Sequence, residues 1–330
     1  MQENAFPLDA KYHKLLSALD ENARASNAEI GKKIGLSKET TKYRIDQLTE
    51  SGVIKRFRTV INYFKLGIVK YKLYLKLTNT NKETLEKISK YFMQKTCTEW
   101  VSHTTGRWDF VVGFLVHNAN EMDDELQEFL DNFSDSVLER SVTTTLYLAH
   151  MSRTQTKDGK QTNKYLLYSS KDPKIEIDSL DEQILRIIAN NARMPTTQIA
   201  HLTKTTPRIV AYKLKSLEKK EIILGYKTHI NLNKIGKLLC KVIISLKHAN
   251  KKELNSFINI TSALAGAVWP QRIIGAWDYE IDFEMNSYNE FQDRITSIKE
   301  RFPELIKNTE FLIEHTEYKL DFYANAIKEM

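Results

Sequence analysis

Apolar residues fall at helical spacing from the start of the chain. Leu8, Tyr12, Leu15, Leu16 and Leu19 share one face of a first predicted helix. A second helix is expected over about residues 27–34, ended by Gly35, which takes the left-handed conformation that lets the chain turn sharply. Ser37 then caps a third helix, with Thr41, Ile45 and Leu48 at i, i+4 and i+7 on its buried side. After Gly52, residues 53–62 alternate and suit a two-stranded wing. The pattern predicts a winged helix-turn-helix.

The order then changes to strand, helix, strand, strand, helix, strand. Residues 71–77 alternate, Leu85, Ile88 and Phe92 line one face of a helix over 82–94, and residues 100–104 lead into Gly106. Residues 110–116 form a β-rich apolar run, Met122, Leu126, Phe129 and Phe133 mark the second helix, and 142–148 is the last strand. This is the ferredoxin-like βαββαβ order. One face of such a sheet has no helix, and a second copy of the same sheet would cover it.

That second copy lies in the same chain. Residues 8–146 and 177–315 align without a gap at a shift of 169. Asn22-Ala23-Arg24 meets Asn191-Ala192-Arg193, Tyr43 meets Tyr212, Trp100 meets Trp269, and Gly106-x-Trp108-Asp109 meets Gly275-x-Trp277-Asp278. Each copy is a whole folding unit, and the duplicated chain imitates a homodimer with joined subunits. The expected fold class is α+β, with winged helix-turn-helix domains at 1–62 and 177–231 and ferredoxin-like domains at 63–153 and 232–330. A connector at 154–176 is polar at both ends around Tyr165-Leu166-Leu167-Tyr168, a run suited to an edge strand.

Charge changes the picture more than composition does. Residues 8–60 hold eleven Lys/Arg against seven Asp/Glu, and 177–230 hold nine against five. The sheet segments 65–150 and 234–330 are slightly acidic, with ten against twelve and thirteen against fourteen. Positive charge on the helical segment of each repeat is what a phosphate-neutralising module needs. Cys97 and Cys240 are not equivalent in the repeat and offer neither a disulfide framework nor metal spacing, so a reducing compartment, the cytoplasm, is expected. No segment approaches 18 uninterrupted apolar residues, and no membrane association is expected.

A major groove admits one helix, whose N-terminal turn brings polar and basic side chains to base edges. On the first recognition helix those are Ser37, Lys38, Glu39, Lys42 and Tyr43, with Arg44 at the margin; Lys55, Arg56 and Arg58 follow on the wing. Lysine and arginine donate to phosphate or guanine, and Glu39 accepts from cytosine N4. The second helix begins at Thr206-Pro207 and turns Arg208, Ala211, Tyr212 and Lys213 outward. Lys42 is replaced by Ala211 and Glu39 by Arg208, so the halves should not read the same bases. Lys204-Thr205 replaces Gly35-Leu36 at the turn, which predicts a looser second motif. Either the second copy still reads bases or it keeps the fold alone.

The residues together resemble the Lrp/AsnC (leucine-responsive and asparagine regulator) family of bacterial and archaeal transcription factors, over nearly the whole chain, twice. Carrying the resemblance are Leu8-Asp9 with Leu15-Leu16, Asn22-Ala23-Arg24, Ala28-Glu29-Ile30 and Leu36-Ser37. Arg44-Ile45-x-x-Leu48, Gly52-Val53-Ile54, Asn62, Gly67 and Gly106-x-x-Asp109 continue it. The resemblance implies a sequence-specific regulator of duplex DNA, self-association, and an amino-acid effector near Gly106, Asp109, Gly275 and Asp278. The same loops have a structural reading that the residues favour: a glycine turn, an aspartate bonding backbone amides, and a tryptophan filling the space.

A second class remains open. Siroheme decarboxylases resemble this two-domain build, sometimes as fused halves; His103, paired in the repeat with Arg272, is the one candidate for such chemistry. Walker loops, metal-binding spacings, nucleophile elbows and RNA-recognition aromatic signatures are absent from the sequence, so no cofactor and no enzyme activity are expected.

Overall fold

The computed structural model describes residues 5–153 and 165–323. The first copy runs α1 (Ala10–Glu21), α2 (Asn27–Ile34), α3 (Lys38–Glu50), β1 (Ile54–Ile61), β2 (Val69–Leu77), α4 (Lys82–Gln94), β3 (Thr98–Gly106), β4 (Phe110–Val116), α5 (Ala119–Phe133) and β5 (Val137–Met151). β6 (Tyr165–Ser169) follows. The second copy runs α6 (Ser179–Ala189), α7 (Thr196–Leu202), α8 (Pro207–Lys219), β7 (Ile223–Ile230), β8 (Leu238–Leu246), α9 (Lys251–Ser262), β9 (Gln271–Ile274), β10 (Tyr279–Met285), α10 (Tyr288–Arg301) and β11 (Ile306–Leu320).

The expected wing is corrected by the pairing. β1 does not fold into a hairpin of its own; it pairs antiparallel with β7, with Phe57 opposite Thr228 and Arg58 opposite Lys227. Residues 53–61 carry no glycine, proline or asparagine, so nothing there turns the strand back. Instead the strand crosses into the other copy's core: Ile61, with Phe57 beside it, packs among Ile184, Leu185 and Ile188. Ile230 reciprocates among Leu15, Leu19 and Leu48, so each helical module is completed by the other copy's strand.

The sheets are two four-stranded sets, β5–β2–β4–β3 and β11–β8–β10–β9, joined at both edges into a closed ring of eight strands. The long last strands make the joins. β5 gives residues 137–144 to β2 and then pairs with β9, while β11 pairs first with β8 and then with β3. The last strand of the first copy therefore extends well past the expected 142–148, because its second half serves the other sheet. β6 adds to the end of β5, where the apolar run of the connector takes the expected edge position.

Alternation sorts the side chains. Leu73, Leu75 and Leu77 with Phe110, Val112 and Phe114 face α4 and α5. Tyr279, Ile281 and Phe283 with Val242 and Ile244 face the helices of the second copy. Inside the ring, one region is apolar and aromatic, with Tyr74, Val111, Ile243, Trp108 and Trp277. The other is charged, with buried Lys70, Lys72, Lys241, Glu99, Glu280 and Asp282.

Candidate DNA-binding interface

The first helix-turn-helix is built as its sequence dictates. Ser26 and Glu29 form a reciprocal capping box on α2, Gly35 ends it at φ +70°, and Ser37 Oγ accepts from Thr40 N at 3.0 Å to start α3. Thr41, Ile45 and Leu48 are buried. Ser37, Lys38, Glu39, Lys42 and Tyr43 are exposed together with Thr40, which the sequence reading passed over. Tyr43 is 60 % exposed and its repeat mate Tyr212 is 69 % exposed, so both helices present a phenol to solvent at the same position.

The second motif keeps the same turn by other means. Lys204, in the place of Gly35, takes φ +51°. The expected looser turn is therefore corrected to an ordered one, held at a backbone conformation that costs a residue with a Cβ about 1 kcal/mol or more. Thr206 caps α8 and Pro207 fills its first turn. Arg208, Ile209, Tyr212 and Lys215 are exposed, whereas Ala211 and Lys213 are half-buried.

Several expected contacts point elsewhere. Arg44 Nη1 reaches Asp9 Oδ2 at 3.0 Å and its guanidinium lies 4.4 Å over the Tyr12 ring. Its mate Lys213 pairs with Asp178 and, at 3.2 Å, with Asp181. Both therefore tie the recognition helix to the start of the first helix of the module. Backbone donation from Tyr12, then Arg44, holds the Asp9 carboxyl below its usual range; for Asp178 the Lys213 hydrogen bond leads. On β1, Lys55 pairs with Glu317 at 2.9 Å, Arg56 donates to Leu320 O at 2.9 Å, and Arg58 is buried. These three turn to the sheet body because β1 lies in a two-stranded ribbon shared with β7 that faces the ring, not in a solvent-facing wing.

The ribbon is flanked by a reciprocal clamp. Ala23 N donates to Tyr226 O and Ala192 N to Phe57 O, each at 2.9 Å. Asn62 N donates to Ile222 O and Asn231 N to Val53 O, each at 2.8 Å. Arg24 reaches Ala192 O, while Arg193 donates to Ala23 O at 2.6 Å, Ala25 O at 3.0 Å and Asn27 Oδ1 at 2.6 Å. Equivalent residues exchange equivalent bonds, the signature of a two-fold interface.

The Gly-x-Trp-Asp loops sit at the seams of the ring. A Cβ on Gly106 would stand 2.3 Å from Phe311 O, so glycine is needed where β3 meets β11. Asp109 accepts from Leu77 N at 2.9 Å and pairs with Lys76; Asp278 accepts from Leu246 N at 2.7 Å and pairs with Arg272. Trp108 and Trp277 are buried against Tyr74 inside the ring, and Gly275 meets Thr143 across the other seam. His103 stacks on His315 with ring centroids 5.5 Å apart. The histidines set among charged groups are instead His150 and His229, which the sequence reading missed because their repeat mates are Lys319 and Val60 and no pattern marks them.

A winged helix-turn-helix DNA-binding family matches residues 8–55 and 177–223. The transcriptional regulator AzlB of Bacillus subtilis is 31 % identical over 152 residues, 44 % of this chain and 92 % of that relative. The chain belongs to the Lrp/AsnC family. One copy corresponds to nearly a whole relative, and this member of the family holds two. The HTH-type regulator Rv2324 of Mycobacterium tuberculosis is 48 % identical over 60 residues, 18 % of this chain and 40 % of that relative. The siroheme decarboxylase NirDL has the same fold, with a TM-score of 0.63 at 10 % identity over 96 % of this chain and 95 % of its own. As an Lrp/AsnC member with two helix-turn-helix motifs, the chain is a DNA-binding transcriptional regulator. Among the described residues, no helix is long and apolar enough to cross a membrane.

Proposed function

We propose that the chain is a covalent pseudo-dimer that reads an asymmetric duplex operator, with domains divided at about 62, 153, 176 and 231. The reciprocal clamp at Arg24 and Arg193 carries this reading, because it joins two recognition helices in a fixed two-fold relation while their outer faces differ. Lys38, Glu39, Thr40, Lys42 and Tyr43 form one reading face. Arg208, Ile209, Tyr212 and Lys215 form the other. Selection from random duplex tests it: two unlike half-sites about one helical turn apart are expected, and a perfect palindrome would refute it. Affinity should fall with salt at a slope of about −0.9 per phosphate contact.

Self-association of the pseudo-dimer is supported by Tyr165 and Leu167, 54 % and 47 % exposed on the terminal strand β6, and light scattering of the purified chain decides it. An amino-acid effector at Gly106, Asp109, Gly275 and Asp278 has less support, since both aspartates are engaged by backbone amides and lysine or arginine. The shared fold with NirDL gives a second reading, a tetrapyrrole enzyme. The cavity where the ring meets the ribbon, about 70 Å³, is too small for a tetrapyrrole, whereas an open cleft of about 610 Å³ lies between β5, β6 and α9; a Soret band on adding heme would favour this second reading.

A further inference from the structure

Where the charged region of the ring meets the β1–β7 ribbon, one buried cation has no ion pair. A cavity there is lined by Arg58, Lys70, Glu99, Trp100, His150 and Trp269 among others, and its volume of about 70 Å³ has room for about five waters. Lys70 pairs with Glu99, Lys72 with Glu280, and Lys241 with Asp282 and Glu280. Arg58 is 2 % exposed, and no described carboxylate forms an ion pair with it. Its hydrogen-bond partner is His150 Nδ1 at 3.1 Å. That atom also accepts from Trp269 Nε1 at 3.0 Å, so it carries no proton, and Nε2–H donates to Tyr168 Oη at 3.1 Å. Burial, then the charges of Arg58 and Lys227, hold His150 well below its usual range and neutral.

The repeat shows that an acid is missing. The mate of Arg58 is Lys227, whose ammonium lies 3.0 Å from Asp20 Oδ2. The mate of Asp20 is Ala189, so on the Arg58 side a methyl stands where the other copy has a carboxylate. Arg58 is left with the Phe322 ring, 4.3 Å from its guanidinium, and a neutral imidazole, and a buried cation without an ion pair is disfavoured. Burial draws Arg58 down to about 10, which leaves it cationic at neutral pH.

We propose that this cavity binds a small organic carboxylate, its anionic end on Arg58 and its apolar end against Trp100 and Trp269. The guanidinium fork matches a carboxylate edge, and the two indoles supply an apolar wall. Asp282 and Glu317 also line the cavity, so the one unpaired guanidinium suits a single carboxylate. A phosphate dianion would bring a second negative charge against those lining carboxylates.

The test titrates the full-length protein, in chloride buffer, with propionate and follows tryptophan fluorescence, since Trp100 and Trp269 line the site. Propionamide, the neutral isostere, and inorganic phosphate at matched ionic strength serve as comparisons. Saturable binding of propionate is expected, weakened about 10- to 100-fold in propionamide and in Arg58→Met, the loss of one charge-assisted interaction. Equal response to propionamide, tighter binding of phosphate, or an unchanged Arg58→Met would overturn the proposal. Without ligand, Arg58→Met should melt no lower than the parent, because an unpaired buried charge is gone. If Arg58→Met does not fold, Arg58→Lys keeps the charge without the fork and must lose at least about tenfold in propionate affinity; an unchanged value overturns the site. DNA retardation on the same preparations reports on the regulator reading separately.

Discussion

The inner and outer faces of the two DNA-binding modules have fared differently since the chain was doubled. On the inner face, equivalent positions remain alike and make equivalent bonds to the other copy: Arg24 and Arg193, Ala23 and Ala192, Asn62 and Asn231. On the outer face, Glu39 stands against Arg208, Thr40 against Ile209 and Lys42 against Ala211. Arg24 and Arg193, whose side chains reach the other copy's backbone carbonyls, have few substitutes, whereas a side chain in solvent is free to follow whatever base it meets. Covalent joining adds a second freedom. Once the halves cannot separate, an operator need not be symmetric for both to be held on it.

The largest effect should come from cutting the copies apart. A chain of residues 1–153 would leave β1 unpaired and its module without Ile230, so it should form a dimer through its own β1 or aggregate. Sedimentation equilibrium that returned a stable monomer would break the comparison at its root. Next comes Arg193→Ala, which removes three hydrogen bonds to the first module and should cost about 3 kcal/mol of unfolding free energy by denaturant titration. A loss below about 0.5 kcal/mol would mean that the clamp is ornamental.

On the outer face the effect should appear in binding and not in stability. Lys38→Ala with Lys42→Ala should weaken operator binding by about 1 to 3 kcal/mol per contact, with the melting temperature unchanged, because both side chains are exposed. Arg44 does not belong in that set. Its removal breaks the Asp9 pair and the Tyr12 contact, and would confuse stability with recognition.

What was legible in the sequence follows from range. The helices, their caps and the inward or outward sense of most of α3 depend on neighbours within a turn, so periodicity shows them; the doubled βαββαβ order shows likewise. The wing failed because alternation says that residues 53–62 form a strand and nothing about which strand pairs with it. With that partner wrong, Lys55, Arg56 and Arg58 were aimed at DNA when β7 turns them to the sheet body. The cavity was illegible for the same reason. Arg58, Lys70, His150 and Trp269 come from four strands or their ends, and only the closure of the ring with the β1–β7 ribbon against it brings them together.

The smallest expected effect sharpens the comparison most, because it separates a relaxed constraint from a lost one. Gly35 and Lys204 hold the same left-handed turn, at φ +70° and +51°, between the second and third helices of their modules. A glycine meets no penalty there, while the lysine Cβ crowds its own carbonyl. Lys204→Gly should therefore stabilise the protein by about 1 kcal/mol, reduced somewhat by the greater freedom glycine gives the unfolded chain. Gly35→Lys should destabilise by a similar amount, since Lys11 Nζ, which donates to Ile34 O, stands at an ordinary contact distance of 3.6 Å from the added Cβ and leaves the backbone as the cost. Both are read as shifts in the urea midpoint at constant slope. If Lys204→Gly gave no gain, the second turn would not be strained, and the second copy would hold its recognition helix as firmly as the first.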